Sequence, residues 1–210
     1  MRTATLALFG CLTVLAFVAP TASAQSLGDC QLAGTANFSP GLNTSSQAFS
    51  YNFSGNLSGC QSSQSGAPTS GTVVAGQALT ETVLNSSTNT NVSQVYQEPS
   101  LSGSGSCGSS TTSGEALATW SDGSTTVLSY STTGAAAAVN LSGTVVPSMT
   151  LTAVNPPTGV PTTYTINTTR YAGENANGLL AFQPPDPTAC STSTGVTTAG
   201  ISGGISLGGT

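Results

Sequence analysis

The sequence predicts an all-β protein: one antiparallel β-sandwich domain, immunoglobulin-like or jelly-roll-like, stabilised by disulfides. Three observations carry that expectation. Apolar and polar side chains alternate with period two, most clearly where Phe49, Tyr51, Phe53 and Leu57 fall opposite Ser50, Asn52, Ser54 and Asn56, the pattern of a half-buried strand. Glycine and proline, 25 and 11 residues, punctuate the chain between such segments, as they do in sandwiches and barrels of short strands. No window joins helical periodicity to a cap over about ten residues, and the alanines at 135–138 sit among threonine and glycine, so almost no helix is expected.

The strand candidates follow in order. After the aromatic segment come Val73, Ala75, Leu79 and Val83 in threonine-rich surroundings, then Ala116, Ala118 and Trp120. Behind Trp120 the chain reads Ser121-Asp122-Gly123-Ser124; Asp-Gly supplies the positive backbone dihedral of a tight hairpin, so 125–130 is the returning strand. Further strands are expected at 136–146, 149–154, 162–171 and 179–182, set off by Pro156-Pro157, Pro161 and Pro184-Pro185. The domain is expected to span 25–190. Beyond it, 191–210 contains neither an aromatic nor a charge and reads as a flexible Ser/Thr/Gly-rich tail.

The first residues have the layout of a secretory signal peptide at 1–24: Arg2, an apolar stretch from Leu6 to Val18, and small residues ending Ala22-Ser23-Ala24. That stretch is shorter than the ~20 residues a membrane-crossing helix needs, and no later segment is longer, so no membrane span is expected and the protein is placed outside the cell or in its envelope. Cysteine use agrees. Apart from Cys11, four remain, Cys30, Cys60, Cys107 and Cys190, and an even number in an exported chain suggests two disulfides among three connectivities. Cys30–Cys60 and Cys107–Cys190 are favoured, the first closing a loop around the aromatic hairpin and the second tying the end of the chain to its middle. Zinc would need closer Cys or His spacing, so no metal site and no cofactor are expected.

Charge excludes whole classes of function. Of 210 residues only two are basic, Arg2 and Arg170, against seven acidic, and there is no histidine. Phosphate backbones and anionic bilayers find no basic surface here, and the commonest general base and metal ligand is missing. Serine and threonine make about a third of the chain, against roughly a quarter charged residues in ordinary domains; hydroxyls and amides must supply hydration. With so few titrating groups, stability is expected to change little between about pH 5 and 8 and to fall on reduction.

Trp120, Asp122 and Tyr130 flank the best-specified hairpin and are the candidate ligand-binding residues: two rings could form a platform for a glycan or a cell-surface protein, although a lone tryptophan more often fills a core. The acids Asp29, Glu81, Glu98, Glu115, Asp122, Glu174 and Asp186 read as solvated strand-end and loop residues. Catalysis would require two of them to face each other at about 5 Å or somewhat wider, and none lies in a glycosidase-like motif. Serines lack an activating base, so no catalytic residue is assigned. Residues 173–178 have alternating oxygen side chains but lack the closing glutamate of a calcium loop and read as a turn. Arg170 reads as the structural partner of a carboxylate such as Glu174 or Asp186, or as the mark of a site. Asn37, Asn43, Asn52, Asn56, Asn85, Asn91, Asn140 and Asn167 stand in Asn-x-Ser/Thr sequences.

Two resemblances bear on this reading. Cys107 followed by Trp120 resembles the cysteine and tryptophan of the immunoglobulin fold, but Thr188 stands two before Cys190 where that fold has tyrosine. The leader, the threonine-rich strands and the closing Phe182 to Cys190 resemble small uncharacterised secreted β-rich proteins of actinobacteria, a likeness that implies no activity. The expected function is that of a secreted, non-enzymatic β-sandwich: an envelope-associated, adhesive or ligand-binding module. The alternative is a small extracellular carbohydrate-active protein, either a carbohydrate-binding module or a glycoside hydrolase.

Overall fold

The computed structural model describes residues 26–208; the signal peptide read at 1–24 lies outside the described residues. The chain forms thirteen strands: β1 (Gly28–Leu42), β2 (Gln47–Gln61), β3 (Gly71–Ala75), β4 (Ala78–Asn85), β5 (Thr90–Gln97), β6 (Leu101–Gly105), β7 (Ser109–Trp120), β8 (Thr125–Ala135), β9 (Ala138–Val146), β10 (Ser148–Ala153), β11 (Thr163–Asn167), β12 (Asn175–Gln183) and β13 (Val196–Leu207). One 3-10 turn, Pro187–Ser191, follows β12.

The sandwich expectation is overturned. The main sheet runs β1-β13-β12-β9-β8-β7-β3-β2 and returns to β1, because β1 pairs with β13 on one side and with β2 on the other. All neighbours are antiparallel, and apart from two excursions each is the next strand in the chain, giving an eight-position up-and-down barrel. The third position is shared by two short strands: β3 pairs with Phe53–Leu57 of β2, and β6 with Gln47–Tyr51. Between them the chain leaves the wall to make the β4–β5 hairpin, and between β9 and β12 it leaves again to make β10 and β11. These four strands form the second sheet, β11-β10-β5-β4.

The flexible tail expected at 191–210 is likewise corrected, since β13 closes the barrel. Ala199, Ile201, Ile205 and Leu207 alternate inward; glycine, serine and threonine between them hid the period. A sandwich and a barrel share the same alternation, and what separates them is the pairing of β1 with β13, which joins the two ends of the domain.

Outward positions are mostly Ser, Thr, Asn and Gln, as in Ser129, Ser131 and Thr133 of β8 against Thr144, Ser142 and Asn140 of β9. A lipid-facing barrel carries instead an apolar outer band about 25 Å tall. Apart from the exposed Leu179, the large outward exceptions Val74, Leu117, Val127 and Val146 are the patch on which the second sheet lies, packed against Val83, Tyr96, Met149, Leu151 and Val160. None of the helices described is long and apolar enough to cross a membrane.

Both favoured disulfides form, Cys30–Cys60 and Cys107–Cys190. The second fastens the 3-10 turn to the β6–β7 turn, where Cys107, Ala189 and Cys190 pack on Leu42, Phe49, Val196 and Ala199 at one end of the barrel. By loop entropy, bridges spanning 30 and 83 residues contribute about 3.5 and about 4.5 kcal/mol. Urea unfolding of Cys30→Ser/Cys60→Ser and Cys107→Ser/Cys190→Ser should therefore show the larger loss in the second variant; equal stability to wild type in both would contradict this account.

Candidate functional site

The inward face of the barrel is apolar, yet its centre is open. Phe53, Val73, Leu128, Val139, Leu141, Ile201 and Ile205 all point inward, and each remains only half-buried. They surround a cavity of about 160 Å³. Its cause lies in the pairing of large residues with glycine. Phe53 lies back against Gly34 and Gly55, where an added Cβ would come within 2.5 and 2.7 Å of its ring, and Phe49 lies over Gly103 at 2.4 Å. Rings folded against the wall leave the axis free.

The ends of this lumen differ. At one, Trp120 and Tyr171 meet edge to face with centroids 5.6 Å apart, beside Leu27 and Leu207. The Trp120 Nε1–H donates to Thr126 Oγ1 at 2.9 Å, and that hydroxyl donates to the carbonyl of Arg170 at 3.0 Å. Outside this plug, Arg170 pairs with Asp122 at 2.8 Å, correcting the expected partners Glu174 and Asp186. At the other end Phe38, Phe49, Tyr51 and Phe182 cluster, with centroids 5.8 to 6.5 Å apart, beneath the disulfide-fastened turn.

The polar groups of the lumen gather on one side. Tyr51 and Tyr130 share a hydrogen bond between their hydroxyls at 2.7 Å, and Thr112 and Thr132 do the same at 2.6 Å. Burial pushes both phenols up, so they stay neutral and serve as donors and acceptors. Among the residues that line the cavity there is no carboxylate.

Glu98 lies where the wall is broken between β3 and β6. It is 2% exposed, which corrects its reading as a solvated acid. Its Oε2 accepts from the Gln77 N–H at 2.8 Å, while Oε1 has no hydrogen-bond partner. Burial raises its carboxyl to about 7, outweighing the N–H groups of Gln77 and Gly76, which favour the anion. Its charge also raises the Tyr130 phenol. Ala75, Leu101 and Ala116 pack around the same break with Tyr51, Phe53 and Tyr130.

The three candidate binding residues do not form one platform. Trp120 is 4% exposed and belongs to the plug. Asp122 is outside, its Oδ1 accepting from the Ser124 N–H at 2.9 Å in the Asp-Gly turn. Tyr130 is in the lumen wall opposite Gly114, on the order of 20 Å along β7 from Trp120 at strand rise. Glu98 was missed because burial of an acid has no local sequence signal; the following Pro99 marks only that the chain bends there. The other large concavity, a shallow groove of about 810 Å³ on the outer face, is lined by Asp29, Gln31, Ser131, Asn140 and Asn177 among others, with no aromatic ring. Among the described residues no group of three or more metal-ligating side chains comes together.

Glu98 gives stability a pH dependence that sparse charge alone does not suggest. Its carboxyl holds the proton more tightly folded than unfolded, so the folded state binds more protons between its ordinary value of 4.5 and about 7, and stability falls as pH rises through that window. The full effect is on the order of 3 kcal/mol. Hydrogen bonds from Ser124 to Asp122 and from Thr188 to Asp186 lower those two carboxyls; their stabilisation is lost only as pH falls through the acid range. The thermal midpoint should drop by roughly 6 to 12 °C from pH 5 to pH 8, and Glu98→Gln should remove most of the drop; a wild-type midpoint equal at both pH values would overturn the assignment. Comparison with protein-family models, curated proteins and solved structures finds no match to this chain.

Proposed function

We propose that this is a secreted, non-enzymatic barrel protein that binds a small, largely apolar ligand inside its lumen. The observation that carries the reading is the ring of inward aliphatic and aromatic side chains left half-buried around about 160 Å³. Apolar cavities of roughly 150 Å³ stay dry and accept a benzene ring, and eight-stranded barrels are of the size that either fills with side chains or encloses one small ligand. Small-molecule sites are mostly apolar with a few convergent polar groups; Tyr51, Tyr130, Thr112 and Thr132 are such a set. Two disulfides support an extracellular setting.

The carbohydrate-active alternative has less behind it. Sugar rings stack on exposed aromatics, and the outer groove has none. Its single acid, Asp29, has no second carboxylate across the groove to share glycoside hydrolysis.

Benzene, toluene or indole at saturating concentration should raise the thermal midpoint of the purified mature protein. Ligand at a hundred times its Kd corresponds to about 2.7 kcal/mol. Val139→Phe and Leu141→Phe, which place a ring in the cavity, should abolish the shift while near-ultraviolet circular dichroism reports a folded core. No shift with any of the three compounds would defeat the proposal.

A further inference from the structure

The charge balance inside the barrel narrows the ligand's chemistry. Glu98 is nearly inaccessible, its Oε1 is unpartnered, and Arg170, the only Lys or Arg among the described residues, is engaged with Asp122 at the plugged end. Glu98 accepts from the Gln77 N–H, and the Gln77 side chain reaches the carbonyl of Phe53 on a lumen strand. Tyr51 and Tyr130 line that lumen, the charge of Glu98 raises the Tyr130 phenol, and both hydroxyl oxygens are able to accept as well as donate. Phe49 and Phe53 are neighbours of Tyr51 on the inward face of β2, and their ring faces attract cations.

Resting on the lumen-binding reading, we propose that the ligand is a small apolar amine carried as its ammonium ion. Its hydrocarbon body occupies the aliphatic part of the cavity, and its ammonium group sits at the Tyr51–Tyr130 pair, where the two hydroxyl oxygens accept its N–H groups. The carboxylate of Glu98 supplies the opposite charge that no side chain nearby provides. A buried charge is tolerated when paired and is costly when alone, so the ligand's charge and that of Glu98 stabilise each other. A carboxylic acid of the same shape would set like charges together and be rejected. A neutral hydrocarbon would fill the space without answering the charge.

The experiment compares toluene, benzyl alcohol, benzylamine and benzoate, four single-ring probes of similar size, by calorimetric titration at pH 8 on the wild-type mature chain and on Glu98→Gln. Benzylamine should bind wild type at least about tenfold more tightly than toluene, with benzoate weakest. Glu98→Gln should bring benzylamine to within about twofold of toluene while leaving toluene unchanged. Toluene binding with no advantage for benzylamine, or a preference for the alcohol, would refute the amine and leave the hydrophobic lumen standing. An amine preference that survives in Glu98→Gln would refute the role of Glu98. Failure of all four probes would refute lumen binding itself. Should the variant not fold, the role of Glu98 is read on wild type: the advantage of benzylamine at pH 8 should be lost at pH 5, where the carboxyl is neutral, and an advantage kept at pH 5 would refute that role.

Discussion

The pairing of β1 with both β2 and β13 is the constraint on which the rest of the molecule depends. A strand edge left open exposes a row of N–H and C=O groups that recruit other chains or must be blunted by charge. This chain has few charges with which to blunt anything, only nine in 210 residues. Closing the sheet removes the edge. It also fixes which face is inside, since each strand's alternation must match that of both neighbours, and a slip of one residue would turn Phe53, Leu128 and Ile201 out to water.

Closure alone does not make a cavity; glycine does. Eight strands enclose a space that side chains can fill, and this barrel lines it with Phe38, Phe49, Tyr51, Phe53, Tyr130 and Phe182. Opposite Phe49 is Gly103, and beside Phe53 lie Gly34 and Gly55, so those rings lie flat. At about 24 cal/mol per Å³, an empty space of 160 Å³ costs roughly 4 kcal/mol, a large share of the 5 to 15 kcal/mol typical of a domain. The two disulfides are of the size to offset it. A cost of that size is one that the proposed lumen ligand would offset on binding.

Much of the wall was legible in the sequence. Phe49, Tyr51, Phe53 and Leu57 showed their alternation, Asp122-Gly123 showed its hairpin, and the two disulfide pairs were the favoured one of three connectivities that the sequence alone left open. The closing strand was not legible, because in β13 glycine and serine interrupt the inward series Ile201, Ile205, Leu207, and composition suggested disorder. Without β13 the alternating strands have no closed solution, and a sandwich is the natural inference. The single span read from Val73 to Val83 is in fact the end of one barrel strand and the start of an excursion, separated at Gly76, whose φ of +67° turns the chain out of the wall. Glu98 was illegible for a related reason: its burial is made by Gln77, Leu101 and the strands around them, joined only in three dimensions.

Both excursions from the barrel meet in the second sheet, and this ties the outer sheet to the lumen. The β4–β5 hairpin leaves the wall at Gly76 and re-enters after Glu98, held by Gln97 Nε2 donating to the carbonyls of Gly76 and Gln77 at 3.1 Å each. Strand β5 then pairs with β10 of the second excursion through Thr152–Gln97 and Ala153–Tyr96. Tyr96, fully buried between sheet and barrel, lies two residues before Glu98, so the packing of the outer sheet fixes where that carboxyl enters the wall. The second sheet is thus more than a cover over Leu117 and Val127. It occupies the gap between β3 and β6 in a shared strand position and sets into that gap the one buried acid of the fold among the described residues.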